Sequence, residues 1–107
     1  MTELIYFASA SAFALGCQAY DTYMTEKGLK AGVAIEGNSW LVGPKPSALA
    51  LSLRDVPITL LTAIPALVAF HFDNTGLFYA SLAGPIAVGI KHILGGRSWA
   101  ALLNIKK

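Results

Sequence analysis

Five side chains in the first half of the chain have the types that hold cations, relay protons or tie loops to helix ends: Asp21, Thr25, Glu36, Asn38 and Arg54. Asp21 and Thr25 are four apart, so a helix sets them one turn apart on one face. In one chemistry, Asp21 and Glu36 accept hydrogen bonds from loop amides or pair with Arg54, which ties the loop to the helix ends. In the other, Asp21, Glu36 and Asn38 supply oxygen ligands to a cation or pass a proton. The structural reading is preferred. Two carboxylates with no nucleophile and no metal-ligand set specify no enzyme.

The remaining reactive residue types do not add a site. His71 and His92 end different apolar runs, and a run of about 17 residues at 1.5 Å rise keeps them some 25 Å apart. One metal or haem within the chain cannot take both, which leaves a site shared between identical subunits or with a partner's cofactor. His92 and Lys91 are therefore expected at a membrane interface, and His71 at a hairpin. Cys17 is the single cysteine, so an internal disulfide and a multi-cysteine metal site are excluded. There is no phosphate-binding loop, dinucleotide fingerprint, serine elbow or His-Glu-x2-His run. No catalytic residue, cofactor or metal is expected. Tyr6, Tyr20, Tyr23, Trp40 and Trp99 suit interfacial belts.

The elements that must carry these residues follow from composition. Of 107 residues, 55% are hydrophobic and 13% charged, with mean hydropathy +0.58. Ordinary soluble domains carry about a quarter charged residues. Charge is thus too sparse to wet the surface of a soluble chain of this size. Three long apolar runs, 4–20, 56–72 and 77–94, have the character of membrane spans. The expected fold is all-α: one integral membrane domain over 1–107, with three transmembrane helices at about 4–23, 55–72 and 76–94 and short interfacial helical segments.

The first helix is expected to stop near Gly28 or Gly32. Residues 47–53 read as an interfacial turn of helix, with Asp55 as N-cap of the second span and Pro57 in its first turn. Starting that span at Ser47 would put Arg54 and Asp55 in the membrane, at a few kcal/mol each. Residues 71–76 form a tight hairpin. Gly95 and Gly96 are expected to break the third helix, leaving 97–107 to lie in the interface. Pro65 and Pro85 are expected to kink their spans.

Lys27, Lys30, Lys45 and Arg54 belong to the first connection, and Lys91, Arg97, Lys106 and Lys107 to the tail. Three spans put all eight on one side, which predicts an N-terminus outside and a C-terminus in the cytoplasm. The first segment lacks a basic leader and a good lipobox at Cys17, so neither cleavage nor lipidation is expected. Small residues four apart, Ala8, Ala12 and Gly16 in the first span and Gly76, Ala80 and Gly84 in the third, read as helix-packing stripes. Ser81, Pro85 and Gly89 repeat that spacing one register over.

The pattern Asp21-x3-Thr25-x2-Gly28-Leu29-x2-Gly32, followed by Glu36 and Asn38, resembles a family of small bacterial and archaeal membrane proteins. In that family the first helix ends in an Asp/Thr motif and a Glu-x-Asn-Pro turn follows; here Ser39 stands at the proline. The resemblance covers about 21–38 and implies a membrane fold and no reaction. The expected role is a non-catalytic accessory or structural subunit of a membrane assembly at the inner membrane. Its expected partners are lipid and other membrane subunits or copies of itself, with no nucleic acid. Two alternatives share the layout: a pore-forming lysis protein resembling three-span phage holins, and a small ion or proton carrier.

Overall fold

The structure, a computed structural model, describes residues 2–33, 36, 40–43 and 45–106. Among these residues there are five helical segments and no strand: α1 Thr2–Ala31, α2 Ala48–Leu61, α3 Ile64–His71, α4 Thr75–Ser81 and α5 Ala83–Lys106. They make three rods, because α2 continues into α3 and α4 into α5 across short interruptions. Each interruption stands three residues before a proline, at Thr62–Ala63 before Pro65 and at Leu82 before Pro85. A proline ring has no N–H to give and crowds the preceding turn, so the rod loosens there. Both expected kinks thus have a counterpart. Pro57, by contrast, sits inside α2 without breaking it.

The ends of the rods show why the chain turns where it does. α1 closes in a Schellman motif: Gly32, at φ +70°, donates to Leu29 O at 3.1 Å, and Val33 donates to Gly28 O at 3.3 Å. The expected stop at the glycines is met. The hairpin between α3 and α4 repeats the device with Asp73 at φ 54°, donating to Phe70 O at 3.1 Å, while Asn74 donates to Ala69 O at 2.9 Å. Asn74 also caps the next helix, its side chain accepting from the Leu77 amide at 3.1 Å.

Two boundaries differ from expectation. The second rod starts at Ala48 and not at Asp55. Ser47 is its N-cap, accepting from Ala50 N–H at 3.1 Å, and Glu26 takes the Ala48 N–H at 2.7 Å. Those contacts satisfy the first free amides a turn and more before Asp55, so Arg54 and Asp55 lie within the helix. Likewise, Gly95 and Gly96 do not end the third rod, since α5 runs on to Lys106 through the residues expected to lie in the interface. A glycine in a helix costs about 1 kcal/mol against alanine. Here the missing side chains admit Asp21 over Gly95 and Tyr20 over Gly96.

α1 and α5 run parallel and share the most extensive contact in the molecule. Buried or tightly packed positions on the α4–α5 rod fall at Leu82, Pro85, Gly89, His92, Gly96 and Trp99, alternating three and four residues apart. That is the seam spacing of a left-handed helix pair. Phe13 and Tyr20, seven apart, sit over Gly89 and Gly96, also seven apart, and Trp99 sits over Gly28. The packing stripes lie partly elsewhere than expected. Ala8, Ala12, Gly16 and Ala80 are exposed, and Gly84 is half-buried against the Thr62 carbonyl. The buried stripe of α1 is Ala10, Ala14, Gln18, Thr22, Thr25 and Gly28, and on α5 it is Pro85 and Gly89 of the second register that meet α1.

The three rods give a slab of 51 × 25 × 16 Å with radius of gyration 15.8 Å. A compact domain of this length has about 13 Å. Ala48–His71 and Thr75–Ile105 are long and apolar enough to cross a membrane, and only 22% and 28% of their apolar windows are buried. α1 is as long, but Ser9, Ser11 and Gln18 dilute its apolar run between Glu3 and Asp21.

The glycine contacts predict a graded series in unfolding measurements in detergent. In Gly28→Ala the new methyl meets a buried Trp99 ring that cannot swing away, which lowers stability by about 1–3 kcal/mol. Gly89→Ala costs less, because Phe13 is 39% exposed and its ring can move. Gly16→Ala meets nothing within 4 Å, so it is neutral or stabilising by up to about 1 kcal/mol.

Candidate functional site

Along each rod the charge-free run is 17 residues, 4–20, 56–72 and 74–90, or about 25 Å of helix. At one end the runs stop at Glu3 and Asp73, which line a common shallow recess. At the other they stop at Asp21, Asp55 and Lys91, which line a cleft of about 270 Å³ between α1, α2 and α5. Glu36 joins them from the connection. Leu51 and the indole of Trp99 form apolar parts of the wall. Every described basic residue lies at or beyond this level, since the 17-residue runs contain none.

The centre of the cleft is a contact between parallel helices. His92 Nδ1 lies 2.7 Å from Asp21 Oδ2, with the two side chains 10% and 21% exposed. Thr25 Oγ1, one turn along α1, donates to Asp21 Oδ1 at 3.3 Å. Gly95 makes the room: a Cβ there would lie 2.9 Å from Asp21 Oδ1. A turn towards the apolar end, buried Gln18 Nε2 donates to Thr22 Oγ1 at 2.8 Å. Donor and acceptor are thus matched on α1 where the apolar run ends.

A second pair closes the α2 side. The Arg54 guanidinium folds back on its neighbour, Nε to Asp55 Oδ1 at 2.7 Å and Nη2 to Oδ2 at 3.2 Å, a bidentate fork. Arg54 Nη1 also donates to the Trp40 carbonyl at 3.3 Å. Glu36 and Asp21 lie within electrostatic reach of the same guanidinium. This pairing is what lets Arg54 and Asp55 sit inside the helix. Lys91 is exposed at the cleft.

Of the five residues singled out from spacing, the structure brings Asp21, Thr25, Glu36 and Arg54 to one cleft; Asn38 lies outside the described residues. Arg54 takes Asp55 as its bidentate partner, and Asp21 takes His92. His92 is 8% exposed and pairs across 71 positions of sequence. The signal was present in the α5 spacing, where His92 falls in the same seam as Gly89, Gly96 and Trp99. His71 is exposed at the far hairpin, its ring set edge-on to Phe72. Among the described residues no three His, Cys, Asp or Glu side chains converge as metal ligands.

Beyond the cleft, Glu26 links the end of α1 to the start of α2. Its carboxylate accepts from the Ala48 N–H and pairs with Lys30 at 3.1 Å. The backbone hydrogen bond first, and the lysine second, hold its carboxyl below the ordinary glutamate range.

No protein-family profile, curated protein or solved structure matches this chain.

Two measurements check the site. Asp21→Asn and His92→Gln each lower the unfolding free energy in detergent by about 1.5–3 kcal/mol, the scale of a charged hydrogen bond. The double variant loses less than the sum, because both single changes remove one interaction. For Glu26 the folded state favours the ionised carboxyl. Its contribution is thus complete above the ordinary glutamate value and fades as pH falls through the lower folded value. Amide exchange at the start of α2 should accelerate over that acid window, and Glu26→Gln should remove the pH dependence.

Proposed function

We propose that this chain is a three-span integral membrane protein that serves as a non-catalytic helical subunit of a larger membrane assembly. The N-terminus and the α3–α4 hairpin face outside, and the basic end faces the cytoplasm. One observation carries the reading: a charge-free layer about 25 Å deep crosses all three rods, bounded by Glu3 and Asp73 at one end and by Asp21, Asp55 and Lys91 at the other. α1, the least apolar rod, joins the spans because it lies parallel along α5 through this layer. The depth is slightly under the usual 30 Å hydrocarbon core, which suits a thin bilayer region or neighbouring helices.

The assembly role follows from what the layer leaves uncovered. Leu60, Leu61, Leu67, Val68, Ile86 and Ile90 point outward, and lipid satisfies such side chains. The Ala8–Ala12–Gly16 stripe is different. It is exposed and has no part in the internal seam, and small residues let another helix backbone approach closely. A second copy of this chain or another membrane subunit fits there. The cleft sits at the edge of the layer and not at its middle, which favours this reading over an ion or proton carrier.

The test is extraction and crosslinking. The chain should resist alkaline washing of membranes and leave them only with detergent. In a Cys17→Ser background, Ala12→Cys should crosslink to a partner or a second copy, whereas Leu67→Cys on the lipid-facing side should not. Gly16→Leu should abolish the crosslink while leaving unfolding unchanged. Recovery in the aqueous fraction would end the membrane reading, and a monomer without crosslinks would end the assembly reading. Abrupt depolarisation on expression would favour the pore-forming alternative.

A further inference from the structure

The cleft between α1, α2 and α5 has no part in the assembly role, yet its charges are of both signs. Asp21, Asp55 and Glu36 bring carboxylates, while Arg54 and Lys91 bring cations. The internal pairs do not saturate it. A carboxylate has about four acceptor sites, and the Asp21 oxygens receive one contact each, from Thr25 and His92. Lys91 is exposed at the cleft with three N–H donors to offer.

These charges discriminate between ligands. A simple anion would meet three carboxylates. A metal ion would find no three converging ligands among the described residues and would face Lys91 and Arg54. A molecule with a positive and a negative group a short distance apart meets a partner for each. Position narrows the choice further. The cleft opens where the charge-free layer ends, the depth at which lipid headgroups begin. Its volume of about 270 Å³ is just below the range of drug-sized sites. That is room for a headgroup and not for a nucleotide.

We infer that this cleft holds an ammonium-bearing phosphate ester, the chemistry of an aminophospholipid headgroup, with the phosphate on Lys91 and the ammonium on the open sites of Asp21. The inference rests on the membrane-spanning reading above.

The experiment uses the full chain carrying Trp40→Phe, so that Trp99 in the cleft wall is the only indole. It is placed in lipid nanodiscs of phosphatidylglycerol alone, of phosphatidylglycerol with phosphatidylethanolamine, or of phosphatidylglycerol with soluble phosphoethanolamine added. Phosphatidylethanolamine should shift Trp99 emission and remain bound in native mass spectrometry. Lys91→Gln should weaken that retention about tenfold, the loss of one charged hydrogen bond, with unfolding unchanged because the side chain is exposed. Asp21→Asn should weaken it as well where it folds. A shift with soluble phosphoethanolamine alone would keep the ligand chemistry and assign it a soluble source. Identical emission and retention in all three preparations, or full retention by Lys91→Gln, would overturn the inference while the membrane reading stands. A chain that does not enter the discs overturns both.

Discussion

The fold depends on the parallel contact between α1 and α5. Two parallel helices of one chain can lie side by side only if the intervening chain travels back along their full length, and the α2–α3 rod makes that return. The contact is close because one partner at each crossing lacks a side chain. Phe13 and Tyr20 enter over Gly89 and Gly96, Asp21 over Gly95, and Trp99 over Gly28. The ring and glycine exchange sides between Tyr20 and Trp99, so neither helix is the smooth one throughout. So close a seam gathers dispersion contacts along the whole length of both helices.

That seam also explains the position of the polar residues. A charge inside the apolar layer would have to find its partner on a neighbouring rod or on its own helix. In the layer itself the hydroxyls use their own helix: Thr59 Oγ1 donates to the Asp55 carbonyl at 2.9 Å and Thr62 Oγ1 to the Thr59 carbonyl at 2.6 Å. Ser11 Oγ is the buried atom there without a partner. It borders a gap of about 10 Å³, at or below the space one water needs. A long-range contact between side chains of two rods is made at the layer's edge, by Asp21 and His92.

Much of this was legible from residue type. The charge-free runs, the turn at the glycines after α1, the hairpin at 71–76 and the looseness before Pro65 and Pro85 are local properties, written in composition and backbone preference. The misplaced features were long-range. Asp55 looked like a cap because it precedes a proline-containing apolar run, but Ser47 does the capping with help from Glu26, a residue on another rod. Gly95–Gly96 looked like a helix end because glycine is a poor helix former, yet Asp21 and Tyr20 arrive there from 75 or so positions away. The small residues at Ala8, Ala12 and Gly16 had the right spacing for packing, and only the partner's position shows that the internal seam uses Ala10 and Ala14 instead.

The same distinction bears on Asp21. Its spacing to Thr25 suggested a motif complete within α1, and the Thr25 hydrogen bond at 3.3 Å is the weaker of its two contacts by length. His92 at 2.7 Å ties the residue to the far end of the chain, so Asp21 helps set the register of the α1–α5 seam as well as lining the cleft. A one-turn slip of α5 would carry Gly95 away from the carboxylate and Gly89 and Gly96 away from their rings together. The polar pair and the glycine seam therefore select the same register, one by charge and the other by shape, and the cleft exists only in that register.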